Sequence, residues 1–175
     1  STISTMSAIK CASNHINRFV ILYPDSIKLY RIHNNKLIYL NSISSNSNIY
    51  LKNQKCINVT ITKKGNFVVI TTTQILFFAR NGHLISSVPN MVPLTLIDST
   101  NDGDVILSSK TYNRYHKYTA QGTLLFQESI PNYHHPIKDL VIYKPYGNIA
   151  IWGNNTGAYY TMNTHLIINE VTVFK

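Results

Sequence analysis

The segment Tyr112-Asn113-Arg114-Tyr115-His116-Lys117-Tyr118 interleaves aromatic and basic side chains, the residue types that a phosphate-and-stacking surface requires. Alternation along a strand puts Tyr115, Lys117 and Thr119 on one face and Arg114, His116 and Tyr118 on the other, which also describes an ordinary Tyr-rich surface strand. Asp98-Ser99-Thr100-Asn101-Asp102-Gly103-Asp104 gathers acids as a calcium loop does. An EF-hand needs a bidentate Glu at its twelfth position, however, and Ser109 stands there, so a tight Asx-type turn is the expectation. His134-His135, between Tyr133 and Pro136, would project to opposite faces of an extended chain with no neighbouring Cys or acid to complete a metal set. They are expected in a polar loop. The other histidines (His15, His33, His83, His116 and His165) fall mostly in turns or at strand ends and are expected to be exposed.

Enzyme chemistry is thinly supplied. The acids are Asp25, Asp98, Asp102, Asp104, Glu128, Asp139 and Glu170, and there is no GxSxG, HExxH or phosphate-cradling glycine loop. The expectation is a non-catalytic protein without cofactor or metal. The two cysteines, Cys11 and Cys56, form no CxxC and lie in apolar strand-like stretches, which points to free buried thiols in a reducing compartment, the cytoplasm. Two glycosylation sequons, at Asn58 and Asn154, are what an Asn-rich chain produces by chance. No apolar run approaches the roughly 18 residues of a membrane helix, and Ser1 to Ser7 lack the basic-then-apolar order of a signal peptide.

Sixteen Lys and Arg against seven acids leave a formal net charge of +9, which favours anionic partners: nucleic acid, acidic lipid or an acidic protein face. Abundant Asn, Ile, Lys and Tyr give a second source for that surplus, the codon bias of an AT-rich genome.

The elements that must position these residues are strands. Segments rich in Val, Ile, Tyr, Phe and Thr recur between Gly, Asn, Asp and Pro clusters, with no helical stripe. The chain also repeats itself. Lys64-Gly65-Asn66-Phe67-Val68-Val69-Ile70 aligns with Asp102-Gly103-Asp104-Val105-Ile106-Leu107 and with Tyr146-Gly147-Asn148-Ile149-Ala150-Ile151, and more weakly with Ile16-Asn17-Arg18-Phe19-Val20-Ile21. A second anchor follows each time: Asn81-Gly82-His83-Leu84-Ile85, Gln121-Gly122-Thr123-Leu124-Leu125, Asn163-Thr164-His165-Leu166-Ile167 and Asn34-Asn35-Lys36-Leu37-Ile38. Gly and Asn accept the positive φ of a tight turn. The apolar run after the first anchor predicts a strand buried on both faces, and the alternating run after the second a strand nearer solvent. Each unit therefore predicts a four-stranded meander: Cys56–Thr62, Phe67–Thr72, Ile75–Arg80 and His83–Val88 in the second unit, and Leu94–Asp98, Asp104–Ser108, Arg114–Thr119 and Thr123–Ser129 in the third.

A 40–45-residue unit of four strands is a β-propeller blade, and one blade must stack on neighbours to bury its faces. The units resemble the Trp-Asp repeat β-propeller family over nearly the whole chain, as blades at about 5–45, 55–90, 92–131 and 137–175. No Trp-Asp dipeptide closes a third strand, Trp152 lies in a second strand, and Gly82-His83 sits in a turn between third and fourth strands instead of opening a blade. Asn81-Gly82-His83-Leu84-Ile85 is similar to the propellers that follow a BEACH domain in large trafficking scaffolds. The expectation is thus an all-β propeller, or part of a larger one, of about four blades.

The resemblance implies a non-catalytic protein-interaction scaffold in the cytoplasm, with a role in vesicle trafficking. Its partner would be a protein with an acidic face, and an incomplete ring would self-associate or be completed by another chain. The expected contact surface is Lys63, Lys64, Arg114, Tyr115, His116, Lys117, Tyr133, His134, His135 and Tyr146. Three readings compete: a basic surface for nucleic acid or acidic phospholipid, with steep salt dependence; a secreted carbohydrate-binding module, with Cys11 and Cys56 oxidised; and a propeller-based glycosidase, which needs two acids within about 10 Å of each other.

Overall fold

A computed structural model describes residues 7–130, 136–144, 148–153, 157–162 and 168–174. They form four antiparallel sheets in which each strand pairs with the next in sequence. The first sheet holds β1 (Lys10–Ser13), β2 (Arg18–Leu22), β3 (Ser26–His33) and β4 (Lys36–Ser44). The second holds β5 (Cys56–Ile61), β6 (Phe67–Thr71), β7 (Gln74–Phe78) and β8 (Leu84–Pro89). The third holds β9 (Leu94–Ser99), β10 (Val105–Ser109), β11 (Arg114–Tyr118) and β12 (Leu124–Ser129), and the fourth β13 (Asp139–Tyr143), β14 (Asn148–Trp152), β15 (Gly157–Met162) and β16 (Ile168–Phe174). No α-helix occurs among the described residues, as period-two patterning requires. A 3-10 turn at Ile49–Leu51, which the sequence pattern does not announce, drops Leu51 into the core, with the Asn48 side chain accepting from Tyr50 N–H.

The glycine anchors are one turn used repeatedly. Thr62 N–H donates to Asn66 O and Gly65 N–H back to Thr62 O. The same pair of bonds recurs at Ala79–His83, Thr100–Asp104 and Thr119–Thr123. The third position after each start is Gly65, Gly82, Gly103 or Gly122, at φ between 90° and 95°, a region that costs any residue with a Cβ.

The sheets stack face to face. Val68, Ile70, Ile75 and Phe77 of the second sheet pack with Val105, Leu107 and Tyr118 of the third. Their strand neighbours Phe67, Val69, Leu76 and Phe78 pack on Val20, Leu22, Ile27 and Leu29 of the first. The second sheet is therefore apolar on both faces, and all five residues of β6 are buried. Phe67 and Phe78 stack with ring centroids 4.8 Å apart. Each such buried side chain is worth about 1.5–3 kcal/mol. The other face of the third sheet, through Ile106 and Tyr115, covers Leu140, Ile142, Ile149 and Ile151 of the fourth. On the first sheet the face turned away from the second carries an aromatic ladder, Phe19–Tyr30–Tyr39, with edge contacts at 6.3 and 5.8 Å.

Polar pins lock the seams. Asn14 Nδ2 donates to Lys63 O (3.1 Å), Asn58 Nδ2 to Thr95 O (3.0 Å), Ser99 Oγ to Ile61 O (3.0 Å) and Ser86 Oγ to Gln121 O (2.6 Å). The Asn58 sequon is thus a strand residue whose amide is engaged, and Asn154 lies outside the described residues. Both cysteines are free, but only Cys56 is buried. Cys11 is exposed because its neighbour Ala12 takes the inward position on β1. Burial and the nearby Asp25 push the Cys56 thiol up to about 12, so it stays protonated and unreactive.

Candidate functional site

In a meander, alternate turns lie at the same end of the sheet. The β1–β2, β3–β4, β5–β6, β7–β8, β9–β10 and β11–β12 turns therefore form one rim. At this rim the first two sheets carry Arg18, Arg31, Lys36, Lys63, Lys64 and Arg80. Lys63 and Lys64, in the β5–β6 turn, are exposed, as a contact surface requires.

Arg18 and Arg80 flank Gly65 with their side-chain stems, and Arg31 stands opposite Arg18 on the neighbouring strand. Arg18 and Arg31 are direct cross-strand partners in the β2–β3 register. A Cβ on Gly65 would lie 3.1 Å from Arg18 Cγ and 3.3 Å from Arg80 Cβ. Arg18 Nε is buried and has no hydrogen-bond partner among the described residues, while its Nη1 reaches only Asn17 O at 3.4 Å. Burial, then Arg80 and Arg31, lower the Arg18 pKa from its ordinary value. Among the described residues no carboxylate lies within 4.0 Å of any of the three.

The charge of the whole chain is divided unevenly. Residues 1–97 contain ten Lys and Arg and one acid, Asp25; residues 98–175 contain six of each, so the +9 belongs entirely to the first part. Lys63 and Lys64 stand out in the sequence as a basic turn, whereas Arg18, Arg31 and Arg80 are scattered along it and carry no local motif. The absence of any acid between Asp25 and Asp98 was the available signal.

The aromatic-basic segment is differently placed from its expected role as a contact surface. Tyr115 is 2% exposed and His116 6% exposed. Sheets cover both faces of β11, so alternation there divides two interfaces instead of separating core from solvent. Tyr115 O–H donates to Glu128 Oε2 (3.0 Å), and burial and that bond raise its pKa. His116 packs beside Tyr118, at 6.2 Å between rings. Neither of its ring nitrogens has a partner among the described residues. Burial, then Arg114, lower its pKa, so it is neutral inside the seam. Arg114 is half-buried, and Lys117 pairs with Asp104 Oδ2 at 3.6 Å. Tyr133, His134, His135 and Tyr146 lie outside the described residues.

The innermost strands β1, β5, β9 and β13 border a cavity of about 540 Å³, whose lining includes Lys10, His15, Thr60, Lys63, Asp98 and Lys144. Asp98 is fully engaged. Its carboxylate accepts from Ser99 N–H (2.8 Å), Ile142 N–H (2.8 Å) and Lys144 Nζ (2.7 Å), tying β9 to β13. Lys144 Nζ also donates to Ser99 O. Burial lowers the Lys10 pKa, partly opposed by Asp98 and Asp139. Asp98 and Asp104 thus serve separate ion pairs, and no group of three metal-ligating side chains occurs among the described residues. Nor is any helix of the described residues long and apolar enough to cross a membrane.

Four stacked, antiparallel meanders with their first strands innermost are β-propeller blades, and solved structures agree. The WD40 domain of SCAP from fission yeast superposes with a TM-score of 0.69 at 9% identity, over 98% of this chain and 42% of that one. Sqt1 of Chaetomium thermophilum, bound to the N-terminus of ribosomal protein L10, gives 0.71 at 9% identity over 98% and 50%. A streptogramin B lyase gives 0.69 at 13% identity over 99% and 56%. No protein-family model matches the sequence, and no curated protein matches it. The chain has a β-propeller fold and spans about half the length of these structures.

Proposed function

We propose that the chain is a non-catalytic protein-interaction module, one propeller domain with blades at about 5–45, 55–90, 92–131 and 137–175 that forms part of a larger ring. The observation that carries this reading is the turn rim of the first two sheets, where six cations stand on a rigid stack with no acid among them. The partner is a protein presenting an acidic segment. Sqt1, with its bound peptide, is a precedent for the fold but shares only 9% identity. The non-catalytic reading is supported by Asp98, whose oxygens are occupied by sheet-to-sheet bonds. The likeness of Asn81-Gly82-His83-Leu84-Ile85 to BEACH-associated propellers adds cytoplasmic membrane trafficking to the proposal, and the aromatic outer face of the first sheet fits a further blade.

The test is reconstitution with a purified partner found by proximity labelling. Lys63→Glu combined with Lys64→Glu should weaken a stoichiometric complex by about tenfold or more. Equal binding by the wild type and the double variant would sink the reading. Because the same cations suit an anionic polymer, titration with duplex DNA across a salt series separates the second reading: a steep logarithmic loss of affinity in place of a stoichiometric protein complex would favour nucleic acid.

A further inference from the structure

We propose that the seam between the first and second sheets is a phosphate-recognition site, built from Arg18, Arg31 and Arg80 around Gly65, for a phosphorylated residue on a protein partner. The inference rests on the protein-interaction reading and names the chemistry of its anchor. Cross-strand like charges destabilise an antiparallel pair, yet Arg18 faces Arg31 directly, and Arg80 closes on the same point. Among the described residues no carboxylate pairs with them, and Arg18 Nε lies below the surface with its donor unused. The cluster costs the fold stability that only an external anion can offset.

The chemistry selects phosphate. A carboxylate brings one negative charge, whereas a phosphate monoester brings nearly two and three acceptor oxygens, which suits several planar guanidinium forks. The shape selects a protruding group. The three arginines stand at one seam between two sheets, Arg31 opposite Arg18, beside a glycine whose missing side chain leaves the close approach of the Arg18 and Arg80 stems undisturbed. A flat membrane or a nucleic-acid strand needs cations spread along a track. The exposed turn residues Lys63 and Lys64, next to Gly65, would draw the acidic flank of such a segment toward the seam.

The experiment uses the full 175-residue chain and three probes: a fluorescent peptide bearing one phosphoserine, the same peptide unphosphorylated, and phosphatidylcholine–phosphatidylserine vesicles. The phosphopeptide should bind, inorganic phosphate should compete it off, and the unphosphorylated peptide should bind at least about tenfold more weakly. Arg18→Gln and Arg80→Gln should each reduce phosphopeptide affinity by about tenfold, while Lys110→Gln, at the opposite end of the third sheet, should leave it unchanged. Arg31→Gln should reduce affinity and raise the melting temperature together, which a binding loss caused by misfolding cannot do. Equal binding of both peptides, no binding of either, or binding of vesicles alone would each overturn the proposal. If the purified protein partner still binds Arg18→Gln and Arg80→Gln normally, the site is wrong and the interaction reading survives.

Discussion

The first two sheets and the last two share a strand plan and a turn but use charge in opposite ways. In the last two, acid and base are balanced and used internally: Asp98 joins β9 to β13 through Lys144, and Asp104 holds Lys117. In the first two the seams are pinned by neutral groups such as Asn14, while the cations face outward or one another. Charge on one side supports the stack, and charge on the other is held in reserve at the rim. Neutralising a charged residue should therefore have opposite effects on stability in the two halves.

The largest effect is expected at Asp98. Asp98→Ala leaves the Ile142 and Ser99 N–H groups without this acceptor and strips the Lys144 ammonium of its carboxylate, leaving it Ser99 O. The Lys144 side chain is 41% exposed and its share is screened by solvent, so most of the expected loss of about 2 kcal/mol comes from the orphaned donors. Chemical denaturation would measure it. A loss no larger than that of a surface substitution would erase the contrast between the halves.

A matched pair of turns sharpens the comparison. Gly65 and Gly103 hold the same position in the same turn at φ of 94° and 90°, so alanine imposes similar backbone strain at both, about 1–2 kcal/mol. At Gly103 the new Cβ meets nothing within 4 Å, whereas at Gly65 it presses on Arg18 and Arg80. Gly65→Ala should be the more destabilising, and the difference in thermal midpoint reports how tightly the arginine seam is packed. Equal shifts would mean that the seam yields freely.

The pattern of what the sequence revealed follows from the same physics. Repeats, turn glycines and the strands after them were legible because a turn at positive φ admits few residues, and Gly65, Gly103 and Gly122 mark it directly. Whether a strand's second face meets water or another sheet is decided by residues far away in the chain. Arg114–Tyr118 thus read as surface although Tyr115 and His116 are inside. Arg18, Arg31 and Arg80 come from separate strands and turns, and only the register of β2 with β3 and the stacking of two sheets bring them together.

The titrating groups divide along the same line. His116, in the third sheet, has a lowered pKa, so the unfolded chain takes up its proton first. Its effect on stability is absent above the unfolded value of about 6.5 and grows as pH falls below it. His116→Leu should flatten that acid limb in melts at successive pH values. Cys56, in the second sheet, is raised from 9.0 to about 12, so the unfolded chain loses its proton first and stability declines as pH rises above 9. Cys56→Ala should flatten the alkaline side and leave the acid side alone. Acid limbs that coincide in the wild type and His116→Leu would show that the histidine is not enclosed in solution.

The smallest effect is the most diagnostic. Arg31 is exposed, so its repulsion with Arg18 is worth only a few tenths of a kcal/mol. Arg31→Gln should still raise the melting temperature at low ionic strength, and the gain should fade as salt shortens the reach of the repulsion toward 3 Å near 1 M. Exposed positions rarely become more stable when a charge is removed unless that charge was unpaired beforehand. A rise at low salt that vanishes at high salt would identify the first two sheets as the half whose charge works against its own fold. A drop would mean that Arg31 already has a partner, and the asymmetry between the halves would then be one of composition alone.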